Sequence, residues 1–299
     1  MIKAQFDSLA IVLLVGLCLL FGLNQVVVKF GLEGISPLMQ AGLRSIGASF
    51  LLILWMMWRG EKILRRDGAF WWGVLLGVLF AIEFLLIYTA LNLTTASHAT
   101  IFLYTSPFVV ALGAHLFVPG ERLTRLQGVG LLIAFAGVFF AFRDSLDGEA
   151  SLLGDSLALA GALFWGATTV VLKASPQRHQ SPSRVLLYQL VVSALILPLL
   201  SWLMGEPGIT QLTSLVIGSL LFQTVLMAFA GYLAWFWLLS HYPASKIASF
   251  TFLTPLFGVM FAWLILDEQL SLDMLGALLL VALGIYLVNK PSKRVKHSL

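Results

Sequence analysis

Two ionisable residues lie deep inside apolar sequence: Arg44, in a stretch running from about 37 to 58, and Glu83, in a stretch from about 70 to 90. A charge in hydrocarbon is costly and usually faces the interior of a helix bundle, so such residues mark an internal pair, a proton relay or a ligand contact. Glu83 is thirteen residues from the start of its stretch and Arg44 fourteen from the end of its own, roughly 20 Å in each case at 1.5 Å per helical residue. On consecutive antiparallel helices the two fall at matching depth. An ion pair is the economical reading; the other is proton coupling or a substrate ammonium held at Glu83.

A second set could line a binding cavity. Asn24 and Thr168 each follow an aromatic residue, Phe21 or Trp165, by three positions, which puts a polar tip beside a flat ring on one helical face. Helix–helix hydrogen bonding would use the same residues. Trp165 lies in mid-stretch, and with Tyr88, Tyr104 and Tyr232 it offers walls that stack on a ring or hold a cation by the π face; ordinary packing is the plain alternative. Most other tryptophans fall near stretch ends, as an interfacial belt requires. His98 shares a face with Phe102 and Thr105, where it contacts substrate, titrates or packs. Pro107 and Pro255 fall near the centres of their stretches, where each removes a backbone donor and makes a hinge.

The residues that could do covalent chemistry are missing. The chain has one cysteine and five scattered histidines, with neither a Gly-Lys phosphate loop nor an HExxH pair. No catalytic constellation, metal site or cofactor site is expected, and the reading is not that of an enzyme.

The elements that position these residues are membrane helices. Of 299 residues, 60% are hydrophobic and 11% charged, with a mean hydropathy of +0.96. Ten apolar stretches of bilayer length lie at about 9–29, 37–58, 70–90, 96–118, 124–142, 153–173, 184–204, 213–239, 244–266 and 271–288. Their length and uniform apolarity indicate helices rather than barrel strands. The first continues through Val26-Val27-Val28 without a cleavage site and is read as an uncleaved helix.

Lys3, Arg59, Lys62, Arg65, Arg66, Arg122, Arg125, Arg178, Arg184, Lys290, Lys293, Arg294 and Lys296 fall on one side, whereas the opposite loops hold Arg143 among acidic residues. Both termini are therefore expected in the cytoplasm. The net charge of +4 reflects this orientation and calls for no nucleic-acid partner.

The chain also repeats itself. Residues 88–108 align without a gap on 236–256, pairing Leu91 with Leu239, Ala96-Ser97 with Ala244-Ser245, Phe102 with Phe250 and Pro107 with Pro255. Phe21-Gly22 before Lys29 is mirrored by Trp165-Gly166 before Lys173, and Glu121-Arg122-Leu123 by Glu268-Gln269-Leu270. An odd number of spans per half inverts the second copy, the arrangement of many secondary transporters. The expected units are a five-helix repeat at 1–148, an inverted one at 149–290 and a basic tail at 291–299.

These motifs resemble the EamA-type branch of the drug/metabolite transporter superfamily over nearly the whole chain, and within it are most similar to the YddG-type aromatic amino acid exporters. The resemblance implies an all-α integral membrane protein of ten helices around a central cavity. It implies export of small amphipathic metabolites, aromatic amino acids foremost, across a bacterial inner membrane by alternating access. Cationic drugs or sugar- or phosphate-linked metabolites are the alternative cargo. A channel or receptor would need a continuous polar pore or a sensor domain, and neither is visible.

Overall fold

The computed structural model describes residues 7–63, 68–118, 123–147, 151–242 and 250–289. The expected 1–148/149–290 boundary, the 291–299 tail, Glu121 and the Ala244-Ser245-Lys246 run lie outside them. All regular structure among the described residues is helical. The first half comprises α1 (Ser8–Leu32), α2 (Pro37–Trp58), α3 (Phe70–Leu93), α4 (Ala96–Leu103), α5 (Ser106–Phe117) and α6 (Arg125–Asp147). The second comprises α7 (Leu152–Ala174), α8 (Pro182–Leu203), α9 (Ser214–Leu221), α10 (Tyr232–His241), α11 (Leu253–Leu266) and α12 (Leu272–Asn289). A π-helical stretch, Phe222–Gly231, joins α9 to α10 in one continuous rod. Among the described residues nine spans are long and apolar enough to cross a membrane, and the 14-residue α11 is a shorter apolar helix.

The halves interlock rather than stand side by side. α1 packs on α11 and α7 on α4 and α5; α2 and α3 both pack on α8, and α6 packs on α12. Inversion is visible in the loops. At one end, which carries Glu33 and Glu206, the α1–α2 loop docks on the α8–α9 loop, Ser36 N–H donating to Gly208 O at 2.8 Å and Thr210 N–H to Gly34 O at 2.9 Å. At the opposite, basic end, the α7–α8 loop docks on the α2–α3 loop, Gln177 Nε2 donating to Ala69 O at 2.7 Å and Arg184 to Lys62 O at 2.7 Å. These ends are the acidic and the basic face of the bundle.

The repeated prolines do not lie in mid-helix as expected. The helices are already broken at these points: Tyr104 and Thr105 form a turn between α4 and α5, and residues 250–252 form one before α11. Pro107 and Pro255 each sit in the first turn of the following helix, where no intrahelical donor is required. Thr105 N–H donates to Phe102 O at 3.1 Å and its hydroxyl donates to the same oxygen at 2.6 Å, closing the end of α4.

What lies against each break explains the repeated glycines. A Cβ built on Gly22 would sit 2.8 Å from Gly258 N and 3.0 Å from Thr254 O, and one on Gly166 would sit 2.5 Å from Val109 Cβ and 3.3 Å from Ser106 O. Each broken helix therefore nests against the bare backbone of its partner in the other half, as small residues allow in membrane interfaces. The motif of a glycine after an aromatic and the motif of a mid-segment proline are two sides of one contact, built twice.

Helix ends are exchanged in the same way. The Glu206 carboxylate accepts from Leu38 N–H and Met39 N–H at 3.2–3.3 Å, covering the start of α2. The Glu268 carboxylate accepts from Ala96 N–H at 2.6 Å and Ser97 N–H at 3.0 Å, covering the start of α4. Asp267, at φ 53° in the left-handed region, turns the chain after α11 so that Glu268 points back. A carboxylate on the free N–H groups of a helix start also meets the positive end of its dipole.

Candidate functional site

Arg44 is fully buried at mid-depth of α2, and the expected ion pair with Glu83 is not made: none of its three guanidinium nitrogens has a hydrogen-bond partner, nor has Glu83 Oε2. The guanidinium instead lies flat over an aromatic ladder on α3. Its Cζ is 3.8 Å from the Phe84 ring centroid, 5.8 Å from Tyr88 and 6.0 Å from Phe80. Positions 80, 84 and 88 share one helical face, and successive rings meet tilted, with centroids 4.5 Å and 5.9 Å apart. The matching depth read from the sequence is right, but Glu83 is one residue around the helix from that face. A ring face offers a cation about 0.5–2 kcal/mol, less than the several kcal/mol that desolvating it costs.

Further groups converge here. Tyr232 lies within electrostatic range of Arg44, Glu83, Tyr88 and Tyr104. It is 6.2 Å from the Phe21 ring, itself 6.2 Å from Trp235. Tyr104 meets Trp165 edge-on at 5.6 Å. Glycine at 231, where the first half has Glu83, keeps open the space Phe21 uses: an added Cβ would come within 3.2 Å of its ring. Arg44, Glu83, Tyr88, Tyr104, Trp165 and Tyr232 thus form one connected set.

Asn24 is buried with Oδ1 unpartnered. Thr168 is buried too, but its hydroxyl turns back on Phe164 O at 2.8 Å, a use of threonine that leaves it no donor for a ligand.

The sequence reading missed Gln223. It sits in the π-helical stretch, accepts from the Tyr88 hydroxyl at 2.6 Å and donates to Ser219 Oγ at 2.8 Å, which donates to Val27 O at 2.5 Å. A glutamine inside an apolar stretch was the available signal. We expect Tyr88→Phe to lower stability by about 1 kcal/mol, the usual scale for an interhelical hydrogen bond in a membrane. Adding Gln223→Leu should cost less than the two single changes combined, read as thermal unfolding in detergent.

His98 stands apart, at the acidic face. Its Nδ1 is 2.8 Å from Asp155 Oδ2 and its Nε2 2.8 Å from Asp144 Oδ2, while the ring is 6.3 Å from Phe102. Nearby, Lys29 donates to Thr94 O at 2.6 Å. Among the described residues no group of three His, Cys, Asp or Glu is arranged to hold a metal ion.

Comparison with known proteins agrees with this architecture. The EamA-like transporter family matches twice, over residues 8–143 and 152–290. The chain is 31% identical over 288 residues to the uncharacterized transporter YvbV of Bacillus subtilis, covering 95% of this chain and 92% of that one. It is 32% identical over 285 residues to a probable amino-acid metabolite efflux pump of Escherichia coli, covering 89% and 90%. A protein of known crystal structure superposes with a TM-score of 0.67 at 18% identity, covering 95% of this chain and 98% of the other, a likeness of fold.

Proposed function

We propose, from the premise that this chain belongs to the EamA-like transporter family, that it exports amino acids or closely related amphipathic metabolites, those with a ring foremost. The chain is a multi-pass membrane transporter of small molecules; cargo, direction and placement in a bacterial inner membrane with cytoplasmic termini are our reading. One observation carries it: a buried guanidinium without a protein acceptor lies near a buried carboxylate with an unpartnered oxygen, among paired aromatic rings. That is the complement of a zwitterion with an apolar side chain, because each buried charge gains most from a ligand that supplies its missing partner. A drug cation would use Glu83 and the rings but meet Arg44 as a like charge. The efflux pump of Escherichia coli supports the same class by its name.

The test is counterflow in proteoliposomes with labelled tryptophan, set against leucine, a drug cation and a sugar nucleotide. We expect saturable tryptophan exchange, leucine competing more weakly and the others not at all. Exchange of the drug cation without tryptophan would replace the cargo, and saturation by none of the four would remove the carrier reading.

A further inference from the structure

His98 is held by two carboxylates at once, and the arrangement fixes a proton count. A neutral imidazole has one N–H and one lone pair. Both ring nitrogens stand 2.8 Å from a carboxylate oxygen, so with both aspartates ionised and the ring neutral, one nitrogen lone pair would face an oxygen lone pair. The contact closes only when one more proton is present, on the ring or on a carboxyl. The cluster is shut in: His98 is 3%, Asp155 0% and Asp144 14% exposed.

The other carboxylate oxygens are anchored. Asp155 Oδ1 accepts from the Thr94 hydroxyl at 2.6 Å, and Asp144 Oδ1 accepts from the Ser271 hydroxyl. The members come from different parts of the bundle: Thr94 ends α3, His98 is in the first turn of α4, Asp144 is near the end of α6, Asp155 opens α7 and Ser271 precedes α12. Among the described residues, charged groups facing the cluster include Lys29 of α1, bonded to Thr94 O, and Glu268 beyond α11, bonded to the start of α4. Arg143 of α6 pairs with Asp273 of α12 at 3.3 Å on the same face.

We infer that His98, Asp144 and Asp155 form a proton-binding site that holds the acidic face closed, tying the first half to the second when protonated and releasing it when the proton leaves. Losing the proton turns a bonded contact into lone-pair repulsion and leaves two carboxylates and a neutral ring in a dry site, a cost the bundle relieves by separating α4 from α7 and α6. On the positive-inside reading the acidic face is external, so protons outside would close an emptied carrier and return it to load. The inference stands on the geometry of this face and is independent of the cargo.

The test uses the full chain in detergent, with Cys18→Ala and a reporter Ser97→Cys, a buried position beside the cluster. Labelling by a methanethiosulfonate is normalised at each pH to the same thiol in denatured protein. Otherwise unaltered, this protein should be protected at pH 5.5 and label at least tenfold faster at pH 9. In His98→Gln, which cannot hold the extra proton, the two rates should agree within about twofold. In Asp144→Asn the amide N–H can donate to the neutral ring without an added proton, so protection should persist at pH 9. A flat profile without these changes, a retained tenfold rise in His98→Gln, or opening of Asp144→Asn at pH 9 would each overturn the proposal. If His98→Gln does not fold, Asp144→Asn decides alone.

Discussion

Arg44→Met removes tryptophan counterflow and leaves the protein as stable as before or more so. The two halves of this expectation come from the same geometry. Arg44 is buried with no hydrogen-bond partner on any guanidinium nitrogen, so its desolvation is offset only in part, by the α3 rings with Phe84 nearest and by the charge of Glu83. An uncompensated buried charge costs several kcal/mol, and replacing it with an apolar side chain of similar length recovers that cost. A ligand carboxylate, by contrast, loses a charge-assisted partner in a dry site, a loss of about 2–5 kcal/mol, or roughly 30-fold to several thousand-fold in affinity. The measurements are thermal unfolding in detergent and counterflow in proteoliposomes of matched protein content. A melting temperature several degrees lower with unchanged transport would assign Arg44 to the scaffold instead.

Gly22→Ala and Gly166→Ala each damage assembly, as befits repeat equivalents. At Gly22 the new methyl meets main-chain atoms, Gly258 N and Thr254 O. Backbone at a helix start cannot turn aside, so α1 and α11 must part. At Gly166 the methyl meets Val109 Cβ at 2.5 Å, an atom fixed to the α5 backbone, so α7 and α5 must part as well. Overpacking of a tight contact costs about 1–3 kcal/mol; both changes should lie at or above the top of that range. Yield of monodisperse protein and its unfolding temperature report the loss. Values unchanged in either variant would mean that its contact yields.

Much of the scaffold was legible before any coordinates. Helix number and the two matching halves follow from apolar length and from self-similarity, which are one-dimensional properties. Depth along a helix is also one-dimensional, which is why Arg44 and Glu83 were placed correctly at the same level. Azimuth is where sequence reading stopped: Glu83 falls beside the ladder of Phe80, Phe84 and Tyr88, and only the rotation of α3 against α2 decides that the guanidinium meets rings. The acidic-face cluster was illegible for a different reason. Asp144 and Asp155 sit 46 and 57 residues from His98, near helix ends, where an acid reads as solvated. Phe21-Gly22 and Pro255 were both noted as repeated, but their contact joins residues more than two hundred positions apart.

The exchanged helix caps bear on how the protein is made. Leu38 N–H is covered by Glu206, 168 residues further along the chain, and Ala96 N–H by Glu268, 172 residues further along. At roughly 5–20 residues per second of synthesis, those donors wait on the order of 10–30 s for their partners. The nascent first half therefore enters the bilayer with the starts of α2 and α4 open to water and headgroups. A chain truncated at the repeat boundary would stay in that state, exposing two unfinished helix ends that a complete chain conceals.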